Sequence, residues 1–285
     1  GSSSRKLKRG GANLLAGRAF VYNLFPLSAL ELKEHFDLHS ALTWGTLPEI
    51  FQFQNADDKM RYLRSYTQTY VKEEIQVEQL VRNLDPFRLF LRCAAQSNAQ
   101  IINYSNLARD TGVDHKTIQN YYQILTETNL GFFLEPFHRS IRKVQIQSPK
   151  FYFFDYGVKR ALENRLRVSL EPQSYEYGTA FETWFVNECH RLNSYFELDY
   201  SFHFLRTKDD AELDLIISSP LAKPILIEIK SSEHVDDRSL KHLKHFAKDF
   251  PKSELICVSC EKRERKVDQI WIMPWQKALS VLFHR

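Results

Sequence analysis

No apolar run in the 285 residues approaches the roughly 20 positions that a helix needs to cross a bilayer. No GxxxxGK(S/T) phosphate loop occurs either, so this stretch of sequence does not encode ATP binding by that route. Cysteine is sparse and scattered. Cys257-Val-Ser-Cys260 has the spacing of half a zinc site, but no second pair completes it. Cys93, Cys189, Cys257 and Cys260 are therefore expected to be reduced, mostly buried thiols of a cytoplasmic protein. A strong charge imbalance is also missing. A net charge of +4 and a pI near 8.7 are compatible with a nucleic-acid partner without requiring one. The basic start from Arg5 to Arg9 is followed by too short an apolar stretch, interrupted at Arg18, to read as a signal peptide.

What is present is an ordinary globular composition with 21 Phe and 13 Tyr, which favours a packed core over disorder. The stretch with most chemical content runs from Ala211 to Ser232. It reads as two strands, Ala211 to Ile217 and Pro224 to Lys230, joined by a tight connection. In the second, Ile225, Ile227 and Ile229 alternate with Leu226, Glu228 and Lys230. Alternation puts Glu228 and Lys230 on one face, about 7 Å apart along the strand. Asp214 interrupts the first strand between Leu213 and Leu215. Charge in an otherwise apolar strand is costly unless it is paired or binds a metal. Two carboxylates able to share a hard cation, with an ammonium beside them, are parts suited to metal-assisted phosphodiester hydrolysis. A surface salt-bridge trio is the plainer alternative. Upstream, Glu182 shares a helical stripe with Phe185, Val186 and Cys189, where a carboxylate needs a partner.

The pattern Asp214…Glu228-Ile229-Lys230 resembles the PD-(D/E)XK nuclease motif of restriction endonucleases and junction resolvases, with Leu213 where the motif name has proline. The resemblance implies an αβββαβ core. It implies a Mg²⁺ or Mn²⁺ ion held by Asp214 and Glu228, with Glu182 as a further ligand directly or through water. It also implies a contribution from the Ile229 carbonyl, and Lys230 acting on the attacking water and the phosphate charge. The elements expected are a helix from Tyr175 to Asn193 carrying Glu182, strands Tyr200 to Arg206, Ala211 to Ile217 and Pro224 to Lys230, a helix Asp236 to Phe250, strands Glu254 to Ser259 and Val267 to Met273, and a last helix from Pro274.

The preceding chain reads as helical up to residue 85, with Ser28 able to cap a segment from Ala29 to Phe36 and a long amphipathic helix from Met60 to Leu84. Residues 86–150 read as a winged helix: helices at Pro86 to Ser97, at Ser105 to a stop at Gly112, and at His115 to Thr128 capped by Asp114, then a basic hairpin. Ile118, Tyr121, Tyr122 and Leu125 form the core stripe of the third helix. Lys116, Gln119, Asn120 and Gln123 face outward and are types that reach base edges. Lys116, Asn120 and the hairpin residues Arg139, Arg142 and Lys143, with His138 and Lys150 nearby, are the candidates for DNA contact; a structural or docking role for the winged helix is the alternative.

A second resemblance rests on Gly1-Ser2-Ser3, Leu15-Ala16-Gly17-Arg18, Pro26-Leu27-Ser28, Gly45, Leu47-Pro48-Glu49, the Tyr66/Tyr70 helix and Asp155-x-Gly157. It is to a prokaryotic AAA+ ATPase family in which a P-loop domain precedes an uncharacterised C-terminal region. It implies that ATP enters only through an upstream domain absent from this chain, and that the AAA+-like segment can self-associate. The expected architecture is mixed α/β in three parts: 1–85 helical, 86–150 winged helix, 151–285 nuclease-like. The expected function is that of a DNA-binding, metal-dependent phosphodiesterase module with no membrane association. The alternative is a catalytically inactive nuclease-fold module that serves the ATPase by binding or regulation.

Overall fold

The computed structural model describes residues 20, 22–70, 75, 80–81, 83–138, 148–207, 211–220 and 222–283. The chain forms two compact units, one from residues 1–133 with 151–169 and the other from residues 134–150 with 170–285.

In the first unit, helices α1 (Ala29–Leu32), α2 (Leu38–Trp44), α3 (Ala56–Thr69), α4 (Leu84–Gln96), α5 (Tyr104–Thr111) and α6 (His115–Glu127) precede strand β1 (Gly131–Pro136). Their starts follow the sequence. Ser28 and Glu31 form a reciprocal capping box, and Asn83, Asn103 and Asp114 cap α4, α5 and α6 with side-chain oxygens. Gly112 ends α5 in the left-handed conformation at φ 71°. The stripe expected on α6 is the one that packs: Ile118, Tyr121, Tyr122 and Leu125 are buried. Lys116, Gln119, Asn120 and Gln123 are exposed.

Strand β2 (Lys150–Phe153) and helix α7 (Tyr156–Leu162) follow. Phe151 packs within the same aromatic core, its ring centroid 5.0 Å from that of Tyr122 and tilted against it, and Tyr122 meets Phe90 edge-on at 4.9 Å. This packing explains why 151–169 joins the helices, where sequence grouped it with the downstream domain, and why residues on both sides of position 85 share one core. Asp155 fastens the join: its buried carboxylate accepts hydrogen bonds from Val158 N, at the start of α7, and Thr46 N, beyond α2. Fully buried Arg160 donates to the carbonyls of Thr43, Arg165 and Val168. Gly1 to Arg18 and the hairpin residues Arg139, Arg142 and Lys143 lie outside the described residues.

The second unit begins within β1, at Leu134, and contains helix α8 (Tyr175–Tyr195), strands β3 (Ser201–Arg206), β4 (Glu212–Ser218) and β5 (Ile225–Ile229), helix α9 (Lys241–Ala247), strands β6 (Glu254–Ser259), β7 (Arg265–Val267) and β8 (Ile270–Pro274), and helix α10 (Trp275–Phe283). β3, β4 and β5 form an antiparallel meander. After α9 the chain returns as β6, parallel to β5, and β8 then runs parallel to β6. The end of β1 pairs parallel with β3 on the other side. The sheet of this unit is therefore mixed. α8 is buried almost all round, and its Trp184 meets Trp275 of α10 at 4.9 Å. Leu240, Leu243 and Phe246, from α9 and the turn before it, close over Leu226, Leu255 and Cys257.

Most helix and strand positions follow the sequence expectation within a few residues, with two corrections. The long helix expected from Met60 to Leu84 is α3, Ala56–Thr69, and Leu84 instead opens α4, where the Asn83 side chain accepts the Asp85 N–H and starts a new helix. The single strand expected from Val267 to Met273 is a hairpin, β7–β8, turning at Asp268 and Gln269 with Asp268 at φ 54°. The turn lacks glycine, so it leaves little mark on the sequence; an aspartate tolerates the left-handed conformation through its short polar side chain. Among the described residues no helix is long and apolar enough to cross a membrane, and all four cysteines are free, with Cys189 and Cys257 buried.

Candidate functional site

The site begins at a defect in the sheet. The β3–β4 ladder pairs His203 with Ile216 but Leu205 with Leu213, so β4 carries one extra residue, at Asp214–Leu215. Such a bulge breaks the alternation of side chains and re-aims one of them. On its other side β4 pairs with β5 as far as Leu215 with Ile227. Just beyond that point the Asp214 carboxylate accepts the Ile229 N–H at 2.7 Å. A side chain thus closes the ladder where the backbone stops doing so, and Asp214 is fixed against the strand that carries Glu228 and Lys230.

Glu228 is the last residue but one of β5, only 3% exposed, in register with Cys257 of β6. Lys230 extends from the end of the strand, and its ammonium is 2.6 Å from Glu228 Oε1. The other Glu228 oxygen, Oε2, is buried without a hydrogen-bond partner. Burial, then the Asp214 charge, push the Glu228 carboxyl up to about 8; Lys230 opposes the rise and Glu182 adds to it. Lys230 moves the other way from what its burial alone would do. Desolvation pulls its pKa down, but Asp214 and Glu228 together outweigh it and hold the ammonium more firmly charged. Burial first, with the Glu228 charge second, also pushes the Cys257 thiol up to about 12, which marks it as an inert neighbour.

Glu182, on α8, finds the partner that its place in an apolar stripe demands, and that partner is Lys150. The Lys150 ammonium is 3.3 Å from Glu182 Oε1 and 2.5 Å from Glu212 Oε1, with its side chain only 3% exposed. It also sits 5.4 Å from the centroid of the Phe204 ring. Arg206, opposite Glu212 in the β3–β4 register, approaches its other oxygen at 3.7 Å. Lys150 is therefore an interior cation of this unit, whereas sequence grouped it with the exposed basic hairpin. Among the described residues no three His, Cys, Asp or Glu side chains gather as a metal-ligand set.

Of the residues singled out by sequence, Asp214, Glu228, Ile229 and Lys230 stand together, and Glu182 reaches Glu228 through its field while bonding to Lys150. Lys116 and Asn120 are exposed on α6 of the other unit. Sequence reasoning passed over Glu212 and Arg206, and put Lys150 with the hairpin residues considered for DNA contact, whereas its ammonium pairs with Glu182 and Glu212. For Glu212 a signal existed, since it stands two positions before Asp214 in a strand; for Lys150 only the tertiary fold brings the contact about.

Residues 35–169 match a family described as Domain of unknown function (DUF8612), and residues 177–278 match a second, described as Domain of unknown function (DUF4143). Uncharacterized proteins of Mycobacterium tuberculosis and Mycobacterium bovis are each 26% identical over 235 residues, covering 81% of this chain and 51% of their own length. The chain thus spans about half the length of these curated relatives. No solved structure matches it. The chain thus carries a region similar to DUF8612 followed by a region similar to DUF4143, a domain often found C-terminal to AAA ATPases.

Proposed function

We propose that the second unit is a metal-dependent phosphodiesterase, endonuclease-like in kind, which acts on DNA as a module of an AAA+-family protein. The observation that carries this reading is the buried Glu228 carboxylate, with one oxygen on Lys230 and the other unpartnered, beside Asp214 on the next strand. An unpaired buried carboxylate oxygen is expensive. A hard divalent cation such as Mg²⁺ or Mn²⁺ is the ligand that relieves it and offsets the Asp214–Glu228 repulsion at once. The donor set fits such an ion: Asp214 and Glu228 would hold it, with the Ile229 carbonyl as a further oxygen. The order α8-β3-β4-β5-α9-β6, with an antiparallel meander followed by a parallel return, supports the PD-(D/E)XK likeness.

The bound ion would supply Lewis acidity at the scissile phosphate. Lys230, kept charged by its two carboxylate neighbours, would offset the phosphorane charge and orient water. In the first unit, the exposed Lys116 and Asn120 of α6 are suited to a phosphate and a base edge, in the manner of a winged helix. Arg139, Arg142 and Lys143, which lie outside the described residues, are proposed as phosphate contacts from the sequence alone.

A nuclease assay with Mg²⁺ or Mn²⁺ on single-stranded, duplex and branched DNA tests the reading. Asp214→Asn and Lys230→Met are expected to lower cleavage by about a hundredfold or more. DNA affinity should fall with salt at about one unit of log–log slope per phosphate contact, and Arg139, Arg142 and Lys143 changed together to Ala should flatten it. A specific observation favours the second reading, a non-catalytic regulatory module: Glu182 is tied to Lys150, and no third carboxylate completes a ligand set among the described residues. Absence of cleavage on every DNA, with DNA binding retained, would decide for it.

A further inference from the structure

Lys150 stands out because it is a buried cation in the unit where acidic groups are most concentrated, yet it belongs to no motif. Four carboxylates, Glu182, Glu212, Asp214 and Glu228, come from three neighbouring elements, and the two lysines divide them. Lys230 pairs with Glu228, while Lys150 lies between Glu182 and Glu212. The Lys150 stem is held at the start of β2, right after Pro149, and its ammonium rests over the Phe204 ring. A charge enclosed in this way is not easily given up, because removing one partner leaves another buried charge uncompensated.

We propose that Lys150 is a positioning residue that keeps Glu182 out of the metal's coordination shell. It confines a single divalent ion to Asp214 and Glu228, so that Glu182 acts on that ion only through its field. This rests on the reading of Asp214 and Glu228 as metal ligands. Three observations point to it. Glu182 directs an oxygen to Lys150 at 3.3 Å. No three-carboxylate ligand set forms among the described residues. Glu212, with no place in the nuclease motif, serves as the second anchor of the same ammonium at 2.5 Å, backed by Arg206 at 3.7 Å. An ammonium with two carboxylates supplies fixed positive charge where an additional cation would otherwise find ligands, and it does so without open coordination positions.

Calorimetric titration of the full chain with Mn²⁺ tests this with four proteins. The wild type is expected to bind one ion. Asp214→Asn is expected to weaken binding by about a hundredfold or more, because a ligand is lost. Glu182→Gln is expected to change affinity by less than about fivefold, because only a field is lost. Lys150→Met combined with Glu212→Gln keeps the net charge and removes the Lys150 contact that holds a Glu182 oxygen; it is expected to bind Mn²⁺ about tenfold more tightly, a gain that Glu182→Gln then removes. If Glu182→Gln alone weakens binding as much as Asp214→Asn does, Glu182 is a direct ligand and the role given to Lys150 is overturned while the metal site stands. An unchanged affinity in a folded Lys150→Met/Glu212→Gln protein overturns it in the same way. A wild type that takes up no Mn²⁺, or whose uptake survives Asp214→Asn, overturns both the metal site and the role of Lys150.

Discussion

Glu228 shows at the scale of one residue how burial and a neighbouring like charge act on a single carboxyl. Its carboxyl is pushed up to about 8 by burial and by Asp214, against 4.5 for an ordinary glutamate. The folded chain therefore holds a proton there that the unfolded chain has released above about pH 4.5. The stabilisation linked to that proton is complete below the unfolded value and is lost as pH rises through 8. In chelator, urea unfolding of wild type is thus expected to weaken between pH 5 and pH 9 relative to Glu228→Gln. The variant's advantage should grow to roughly 1–3 kcal/mol at the alkaline end. Parallel pH profiles for the two proteins would mean that Glu228 is ionised and fully compensated by Lys230, and that no ligand is needed to relieve it. Asp214→Asn removes the second-largest cause of the shift and can still accept the Ile229 N–H, so its profile should bend at lower pH than that of wild type. Asp214, Glu228 and Lys230 were legible in the sequence because charge in an apolar strand is conspicuous. The bulge that aims Asp214 was not, because an extra residue in β4 leaves strand composition unchanged.

At the scale of elements, two glycines separate conformational freedom from close approach. Gly112 ends α5 at φ 71° with no atom within 4 Å of where a Cβ would stand. Gly45, after α2, combines φ 75° with a Cβ position only 2.0 Å from the Asp155 carboxylate. Gly112→Ala should cost about 1 kcal/mol, the strain of the left-handed conformation alone. Gly45→Ala must also displace the group that bonds Thr46 N and Val158 N, and should cost about 3 kcal/mol or more. Equal losses in denaturant unfolding would show that Asp155 has room to move and that the α2–α7 junction is loose. Sequence read Gly112 correctly, because a glycine after an amphipathic run is a local signal. It used Gly45 only as one residue of a turn and of a family resemblance, since the carboxylate that crowds it comes from a position more than a hundred residues later. The same limit explains residues 151–169: an aromatic strand advertises burial, but not which core it enters.

At the scale of the whole molecule, each unit has a core of its own, and three of the four tryptophans, Trp184, Trp271 and Trp275, belong to the second. Tryptophan fluorescence therefore reports mainly on the unit that carries Asp214 and Glu228, with Trp44 the sole contributor from the first. A ligand that binds only folded protein stabilises it by RT ln(1 + [L]/Kd), about 2.7 kcal/mol at a hundredfold excess over Kd. Millimolar Mg²⁺ or Mn²⁺ is thus expected to raise the thermal midpoint seen by tryptophan fluorescence, by about 10 °C at that excess for a unit of this size and by less nearer to Kd. Asp214→Asn should lose most of that rise. In chelator the same variant should be no less stable than wild type, because it removes a charge that repels Glu228 while keeping an acceptor for Ile229 N. The opposite pattern, in which Asp214→Asn melts early in chelator and wild type ignores the metal, would make Asp214 a structural ladder-closing residue. The buried Glu228–Lys230 pair would then be a device of folding, and the unit a binding module without a metal.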